Sequence, residues 1–147
     1  MSRIRIVSRS AIAAPAAVAW AVLADYAHDP SWRKGVSRME QSTPGPVHDG
    51  ARVVEQLRVL GRDIRSDVTV HDVVPGESFA WRVVDGADAH GVRRIVAHGV
   101  DRCELVTEKV LVLTGTERLL APLIAWTIRR TEAGDARRAA ALVEGSQ

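Results

Sequence analysis

The stretch AIAAPAAVAWAVLADYAHDPSW, residues 11–32, decides the predicted fold. Pro15 suits the first turn of a helix, because the backbone N–H that proline lacks has no partner there in any case. Apolar side chains then recur at helical spacing, which predicts a helix from about Pro15 to Ala24. Asp29-Pro30-Ser31 predicts a turn into a second short helical piece, which carries Trp32 and ends at Gly35.

The residues on either side of this stretch predict strands and a closing helix. Arg3 to Arg9 alternates basic and apolar side chains, as a strand with one wet face does. Short turns separate the later strand-like runs, which is typical of an antiparallel meander. The pattern becomes helical from about Glu117 to Glu144, and Gly134 is expected to weaken or bend that helix. The predicted later strands are Val53–Leu60, Ile64–Val73, Phe79–Val84, Val92–Val100 and Cys103–Leu113.

Together these elements predict an α+β fold. A curved antiparallel sheet of about six or seven strands wraps around a long C-terminal helix, with two short helices after the first strand. The chain of 147 residues fits one domain, 1–147, large enough to bury a core. The first half of the C-terminal helix is apolar around most of its circumference, so more than one of its sides must be covered.

Composition narrows the function classes. Hydrophobic residues make up 46% and charged residues 26% of the chain, and the formal net charge is only +2. We therefore expect a folded protein with no nucleic-acid partner and no stable membrane insertion. Cys103 is the only cysteine, which excludes an intramolecular disulfide and fits a cytoplasmic location. No histidine pair has ligand spacing, so we expect no metal and no cofactor.

Four segments carry a resemblance to a known superfamily. They are Ala13 to Trp20, Asp25 to Val36, Val73 to Trp81 and the long terminal helix. The chain resembles the START-like (SRPBCC) helix-grip superfamily, of the bacterial polyketide cyclase/dehydrase and lipid-transport type. The resemblance implies an internal hydrophobic cavity, and it supplies no catalytic motif that could be transferred residue by residue.

Aromatic residues are the first candidates for such a cavity. Trp32 lies in the segment that borders the cavity mouth in similar proteins, and Trp81 shares a strand face with Phe79 by period two. Trp126 lies in the apolar part of the last helix. An indole ring offers one N–H donor that can orient a polar ligand atom. The alternative is core packing, which we favour for Trp20 and Trp126.

Polar residues within apolar strands are the second set of candidates. Arg94 and His98 alternate with valines, and they become polar anchors if that face of Val92–Val100 points inward; Arg93 and Ile95 share the other face. Glu55 and Thr107 are similar candidates in their strands. A buried charge needs a partner or a ligand, whereas an exposed position would give these residues no role in binding.

Three functions remain open. The first is a carrier or binding protein for a small hydrophobic molecule, a lipid or polyketide-like compound. It would act as a monomer or homodimer. The loops Thr43–Gly50 and Gly86–Gly91 would gate the entry of the ligand. The second is an aromatase/cyclase-like enzyme, which we consider less favoured, acting through Arg94, His98 and Glu55. The third is a protein-interaction module, which the pairs Arg129-Arg130 and Arg137-Arg138 make conceivable.

Overall fold

The computed structural model describes residues 2–147, which form seven strands and two α-helices. A 3₁₀ helix, Tyr26–Ser31, follows α1, and another, Gly115–Leu120, leads into α2. No helix within residues 2–147 is long and apolar enough to cross a membrane. The elements are β1 Ser2–Ile12, α1 Ala16–Leu23, β2 Val36–Gln41, β3 Arg52–Val59, β4 Arg62–Val74, β5 Ser78–Asp85, β6 Ala89–Ala97, β7 Cys103–Leu113 and α2 Ala121–Gly145.

The strands form one antiparallel sheet in the order β1-β7-β6-β5-β4-β3-β2. From β2 to β7 each strand pairs with the next in sequence, and β1 closes the sheet by pairing with β7. The predicted meander, the long C-terminal helix and the helix-grip architecture are therefore confirmed. The strand β2 was not among the segments that alternation identified individually.

The segment between β1 and β2 forms the predicted pair of short helices. Asp25 accepts a hydrogen bond from the Ala27 N–H at 3.0 Å, which caps the 3₁₀ helix. Trp32 follows immediately after this helix and is buried. The segment packs on β2, so it lies against one face of the sheet.

Helix α2 packs along the opposite end of the sheet, mainly on β1. Its first half contacts Ile4, Ile6 and Leu113, and its second half contributes Ala139 and Val143 to the core. The helix continues through Gly134, so the bend anticipated there does not interrupt it. Its second half is held in place because Arg138 Nε donates to the Trp32 carbonyl oxygen at 3.0 Å.

Candidate functional site

Arg93 lies at the centre of the inner face of the sheet. It is paired in register with Phe79 of β5 and Thr107 of β7, and it is buried. Its guanidinium carbon lies 4.9 Å from the ring centre of Trp32, 5.0 Å from that of Tyr26 and 5.5 Å from that of Phe79. Aromatic faces attract a cation, so these three rings stabilise the charge of Arg93 away from water.

Asp29 neutralises Arg93 in a two-point contact. Arg93 Nη1 donates to Asp29 Oδ1 at 3.1 Å and Nη2 donates to Asp29 Oδ2 at 3.0 Å, while Nη1 also donates to the Leu23 carbonyl oxygen at 2.8 Å. The Asp29 side chain is 0% exposed. Two parallel hydrogen bonds of this kind restrict the relative orientation of the two side chains as well as stabilising the contact. Because Asp29 belongs to the 3₁₀ helix and Arg93 to β6, the contact holds that helix over β6. Burial lowers the pKa of Arg93, but Asp29 more than offsets this and the pKa is raised.

Arg33 extends this contact toward solvent. Its Nη1 donates to Asp29 Oδ2 at 3.0 Å and to Glu55 Oε2 at 2.7 Å. The side chains of Arg33 and Glu55 are 13% and 14% exposed, so this end of the contact is reachable. Burial alone would lower the pKa of Arg33. The charges of Glu55 and Asp29 raise it by more than burial lowers it, so the guanidinium stays charged. We call these four residues, Asp29, Arg33, Glu55 and Arg93, the polar cluster.

A second ion pair joins β7 to α2 nearby. Lys109 Nζ donates to Glu132 Oε1 at 2.6 Å. Burial alone would raise the pKa of Glu132, but Lys109, and beyond it Arg33 and Arg93, lower it below the usual value. The three cations Arg33, Arg93 and Lys109 thus balance the three anions Asp29, Glu55 and Glu132 across one region of the inner face.

Trp81 forms the apolar wall beside this charged region. It is half-buried on β5 and packs against the cluster of buried side chains that contains Phe79 and Val70. Its neighbour across the strands is Gly91 of β6. A β-carbon at Gly91 would lie 2.7 Å from Trp81 Cζ2 and 2.2 Å from the Glu108 carbonyl oxygen. The absence of a side chain at Gly91 therefore lets the indole lie across β6.

Trp32 carries a buried polar atom without a protein partner. Its ring is 3% exposed and stacks on Arg93, but Nε1 has no acceptor within hydrogen-bonding distance among residues 2–147. Unsatisfied buried donors are rare in folded proteins, because each costs the hydration it has lost. The indole N–H is thus an unsatisfied donor that is closed to solvent, on a ring that stacks on Arg93 of the polar cluster.

Five of the predicted site residues lie on the inner face or against it. Trp32 and Phe79 surround Arg93, Glu55 belongs to the polar cluster, Trp81 forms the wall, and Thr107 is the register partner of Arg93. These observations give the positions of the five side chains only. Their participation in binding stays a prediction.

Three predicted site residues lie elsewhere, and those predictions are corrected. In β6 the inward residues are Gly91, Arg93 and Ile95, so Arg94 lies on the opposite face and is exposed. His98 is exposed beyond the end of β6. Trp126 is 57% exposed on α2, and the residue over its ring is Arg130, with 5.5 Å between Arg130 Cζ and the ring centre.

Sequence reasoning missed Asp29, Arg33, Arg93 and Lys109 as site residues. Arg93 was assigned to the face opposite Arg94, and that face is the inward one. The signal that could have found it is cross-strand pairing: Phe79 was expected to face inward, and antiparallel neighbours in register share a face. Asp29 looked like a turn residue beside Pro30, and only the fold brings it to β6.

One of the two loops expected to gate entry differs from the prediction, and the other, Thr43–Gly50, is the loop expected. Ala89, His90 and Gly91 belong to β6, so the second loop is shorter than Gly86–Gly91. The first loop is tied to α1 where the Val47 N–H donates to the Ala24 carbonyl oxygen at 2.9 Å, and Val47 is buried. A gating role for this loop stays a prediction.

Two open grooves of the described chain lie off the polar cluster. One of about 380 Å³ runs between β1 and α2 and includes Arg9, Arg129 and Arg137. Another of about 400 Å³ lies at the β3–β4 hairpin and includes Arg58 and Asp63. The ion pairs Arg93–Asp29 and Arg33–Glu55 lie on the inner face of the sheet, which is where the sequence predicts a cavity. No group of three or more His, Cys, Asp or Glu side chains that could hold a metal lies within residues 2–147.

Solved structures show to which class this architecture belongs. The Zhui aromatase/cyclase from Streptomyces sp. R1128 superposes with a TM-score of 0.81 at 18% identity, covering 97% of this chain and 94% of that one. A START superfamily protein from Mycobacterium smegmatis gives 0.79 at 14%, covering 98% and 99%. Norcoclaurine synthase from Thalictrum flavum gives 0.67 at 16%, covering 99% and 89%. The chain therefore has the helix-grip fold of these structures.

The sequence itself identifies the family within that class. The profile described as "Polyketide cyclase / dehydrase and lipid transport" matches residues 3–131. The chain belongs to this family. A comparison with proteins of curated function gave no match.

Proposed function

We propose that the protein binds a small apolar molecule with one polar end on the inner face of the sheet. The apolar part would rest on Trp81, and the polar end would meet the Arg33–Glu55 ion pair. Burial of the apolar part supplies about 25 cal/mol per Å². We further propose a cytoplasmic location, which fits the single thiol of Cys103, whose pKa is raised by burial.

The observation that carries this proposal is the gradient of exposure within the polar cluster. Asp29 and Arg93 are sealed and satisfy each other, so they hold the structure together. Arg33 and Glu55 are partly exposed on the same face as Trp81, where a ligand can reach them. A few fixed polar groups beside an apolar wall are the usual composition of a small-molecule site.

A fluorescent probe with matching chemistry tests the proposal. 8-Anilinonaphthalene-1-sulfonate combines aromatic rings with one anionic group, and its emission rises when it leaves water. Trp81→Ala should weaken its binding by about tenfold, because the main aromatic surface of the wall is removed. Glu55→Gln should change the affinity as well, because it removes the carboxylate that competes for Arg33.

Trp126→Ala is the matched control, since it removes the same ring from the outer side of α2. It should leave the affinity of the probe unchanged. Circular dichroism and urea unfolding would show that each variant is folded. Equal affinities of folded Trp81→Ala and of the original protein would refute the proposal for this site.

A cyclase-like enzyme is the second candidate. It is favoured by two ion pairs on the same face, Arg33–Glu55 and Lys109–Glu132, because ring closure by aldol chemistry needs more than one polar group near the substrate. The solved aromatase/cyclases share its fold.

Incubation with a poly-β-keto thioester mimic would distinguish the two candidates. An enzyme would form an aromatic product, seen by its absorbance, at a rate that falls by about a hundredfold in Glu55→Gln if Glu55 transfers a proton. Binding without any product would leave the carrier as the remaining candidate.

A further inference from the structure

The 3₁₀ helix Gly115–Leu120 and the start of α2 together carry an apolar face that nothing within residues 2–147 covers. Leu119 is 82% exposed, and Leu120, Leu123 and Trp126 are each more than half exposed. We call these four residues the outer stripe. Elsewhere in the described chain the large exposed apolar side chains are scattered along strands and turns, which is normal for a protein surface.

The outer stripe is not the surface that binds the sheet. The side chains that attach this part of α2 to β1 and β7 are Ala125, Ile124 and Ile128, which pack around Ile4 and Leu113. Leu123 and Trp126 are exposed on other sides of the same turns. The apolar circumference expected from the sequence is therefore covered on one side by the sheet and is uncovered on the other.

Arginine surrounds the outer stripe. Arg129 and Arg130 come three and four positions after Trp126, and Arg130 lies over the Trp126 ring. Arg129, together with Arg137, also lines the groove between β1 and α2. None of Arg129, Arg130 and Arg137 forms an ion pair within residues 2–147. Glu117 is the one acidic residue between Thr114 and Thr131.

This combination fits the surface of an anionic bilayer. Exposed Leu and Trp beside free arginines are what a helix needs to lie in the headgroup region, with apolar side chains at the acyl boundary and cations on the phosphates. A second copy of the chain fits less well, because a two-fold contact through the outer stripe would set the same unpaired arginines against each other.

We propose that the outer stripe and its flanking arginines dock the protein on membranes that contain anionic phospholipids. The contact is peripheral and reversible. It brings α2 against the lipid, and it depends on the outer stripe independently of any ligand on the inner face of the sheet.

Vesicle sedimentation tests this proposal with the intact protein. Vesicles of phosphatidylcholine and phosphatidylglycerol in equal parts should bind the protein, and vesicles of phosphatidylcholine alone should bind it far more weakly. The double variant Arg129→Gln/Arg130→Gln should lose about thirtyfold in affinity. Leu119→Ser/Leu123→Ser should lose binding as well, because the apolar contact is removed.

Matched variants elsewhere provide the controls. Arg82→Gln/Arg94→Gln removes the same charge from exposed positions on the sheet, and Val84→Ser removes an equally exposed apolar side chain. Both should bind as the original protein does. Tryptophan emission should shift to shorter wavelength with anionic vesicles, and Trp126→Phe should abolish the shift, since Trp126 is the one tryptophan within residues 2–147 that is more than half exposed.

Three results would overturn the proposal. They are absence of binding to anionic vesicles, equal binding to both kinds of vesicle, and equal loss in the control variants. A mass that doubles with concentration in light scattering, and that Leu123→Ser returns to the monomer, would assign the outer stripe to a second copy of the chain instead.

Discussion

The polar cluster and the outer stripe depart from the usual distribution of side chains in opposite ways. The polar cluster sets charges in the interior, and the outer stripe sets leucines and a tryptophan in water. The charges are satisfied within the chain, because Arg33 and Arg93 both donate hydrogen bonds to Asp29. The apolar side chains of the outer stripe are left exposed within residues 2–147, and the proposed docking on anionic membranes would cover them.

The two regions therefore differ in what a substitution should change. Removing one member of the polar cluster leaves another charge buried and unpaired, which costs folding free energy. Removing an apolar side chain from the outer stripe changes little within the folded protein. The predictions below test this difference, beginning with the largest effect.

Asp29→Ala should lower the free energy of unfolding by about 3–5 kcal/mol, because it leaves the buried Arg93 guanidinium without its carboxylate. Urea unfolding measures this loss. The control is Glu104→Gln, which breaks the exposed ion pair between Arg9 and Glu104. A loss no larger than that of the control would mean that the polar cluster does not hold the 3₁₀ helix on β6.

Gly91→Ala should destabilise the protein by about 1–3 kcal/mol, as overpacking does. The new β-carbon would collide with the Glu108 carbonyl oxygen and with the Trp81 ring. The same variant should weaken binding of the fluorescent probe, because the ring must move. Gly145→Ala is the control, since no atom outside its helical turn lies within 4 Å of the added carbon. Equal stability of the two variants would contradict the close approach at Gly91.

The Lys109–Glu132 pair should make stability depend on acid pH. The pKa of Glu132 is lowered in the folded protein, so its contribution is complete above the ordinary glutamate value of about 4.3 and is lost as the pH falls through the folded value. The stability difference between the original protein and Glu132→Gln should therefore shrink in acid. Unfolding in urea over a series of pH values measures it.

Asp135 supplies the opposite sign within the same helix. Burial raises the pKa of Asp135 in the folded protein above the value in the unfolded chain. Ionisation of Asp135 therefore lowers the stability of the fold as the pH rises from the ordinary aspartate value through the raised one. Asp135→Asn should therefore reduce the fall in stability toward neutral pH.

For Glu132, the contradicting result is a stability difference between Glu132→Gln and the original protein that is constant across the acid range. It would show that the neighbours of Glu132 do not favour its ionised carboxylate.

Leu119→Ser/Leu123→Ser should have the smallest effect on stability, within about 0.5 kcal/mol, because these side chains are exposed in the folded and unfolded states alike. Thermal unfolding in the absence of lipid measures it. A loss of several kcal/mol would show that the outer stripe is covered by the chain itself.

The sequence predicted the order of the helices and strands, the inward face of β1 and the bounds of β7. Alternation placed Ile4 and Ile6 on one face of β1, and both are buried there. The run Cys103–Leu113 coincides with β7. These predictions succeeded because one face of each segment is more apolar than the other.

The inward face of β6 could not be read in this way. Both faces of the sheet carry mixed side chains: Val106, on the outer face, is buried, whereas Arg93 and Lys109 point inward. A hydrophobic pattern identifies the core only when polar residues avoid it. The ion pairs that permit Arg93 inside are formed with Asp29, 64 residues earlier, and no local pattern contains that contact.

The exposure of Trp126 could not be predicted from the sequence either. A tryptophan in an apolar helix is normally buried, and here the part of the helix that carries it is covered on one side. Position along the helix did not indicate which apolar side faces the sheet, because both sides are apolar.

Native mass spectrometry of gently purified protein tests the proposed binding site most directly. We expect a bound small molecule of lipid-like mass on the original protein and on Trp126→Ala, with much lower occupancy on folded Trp81→Ala. Equal occupancy of the three proteins, or bare protein in all of them, would contradict a site on the inner face of the sheet.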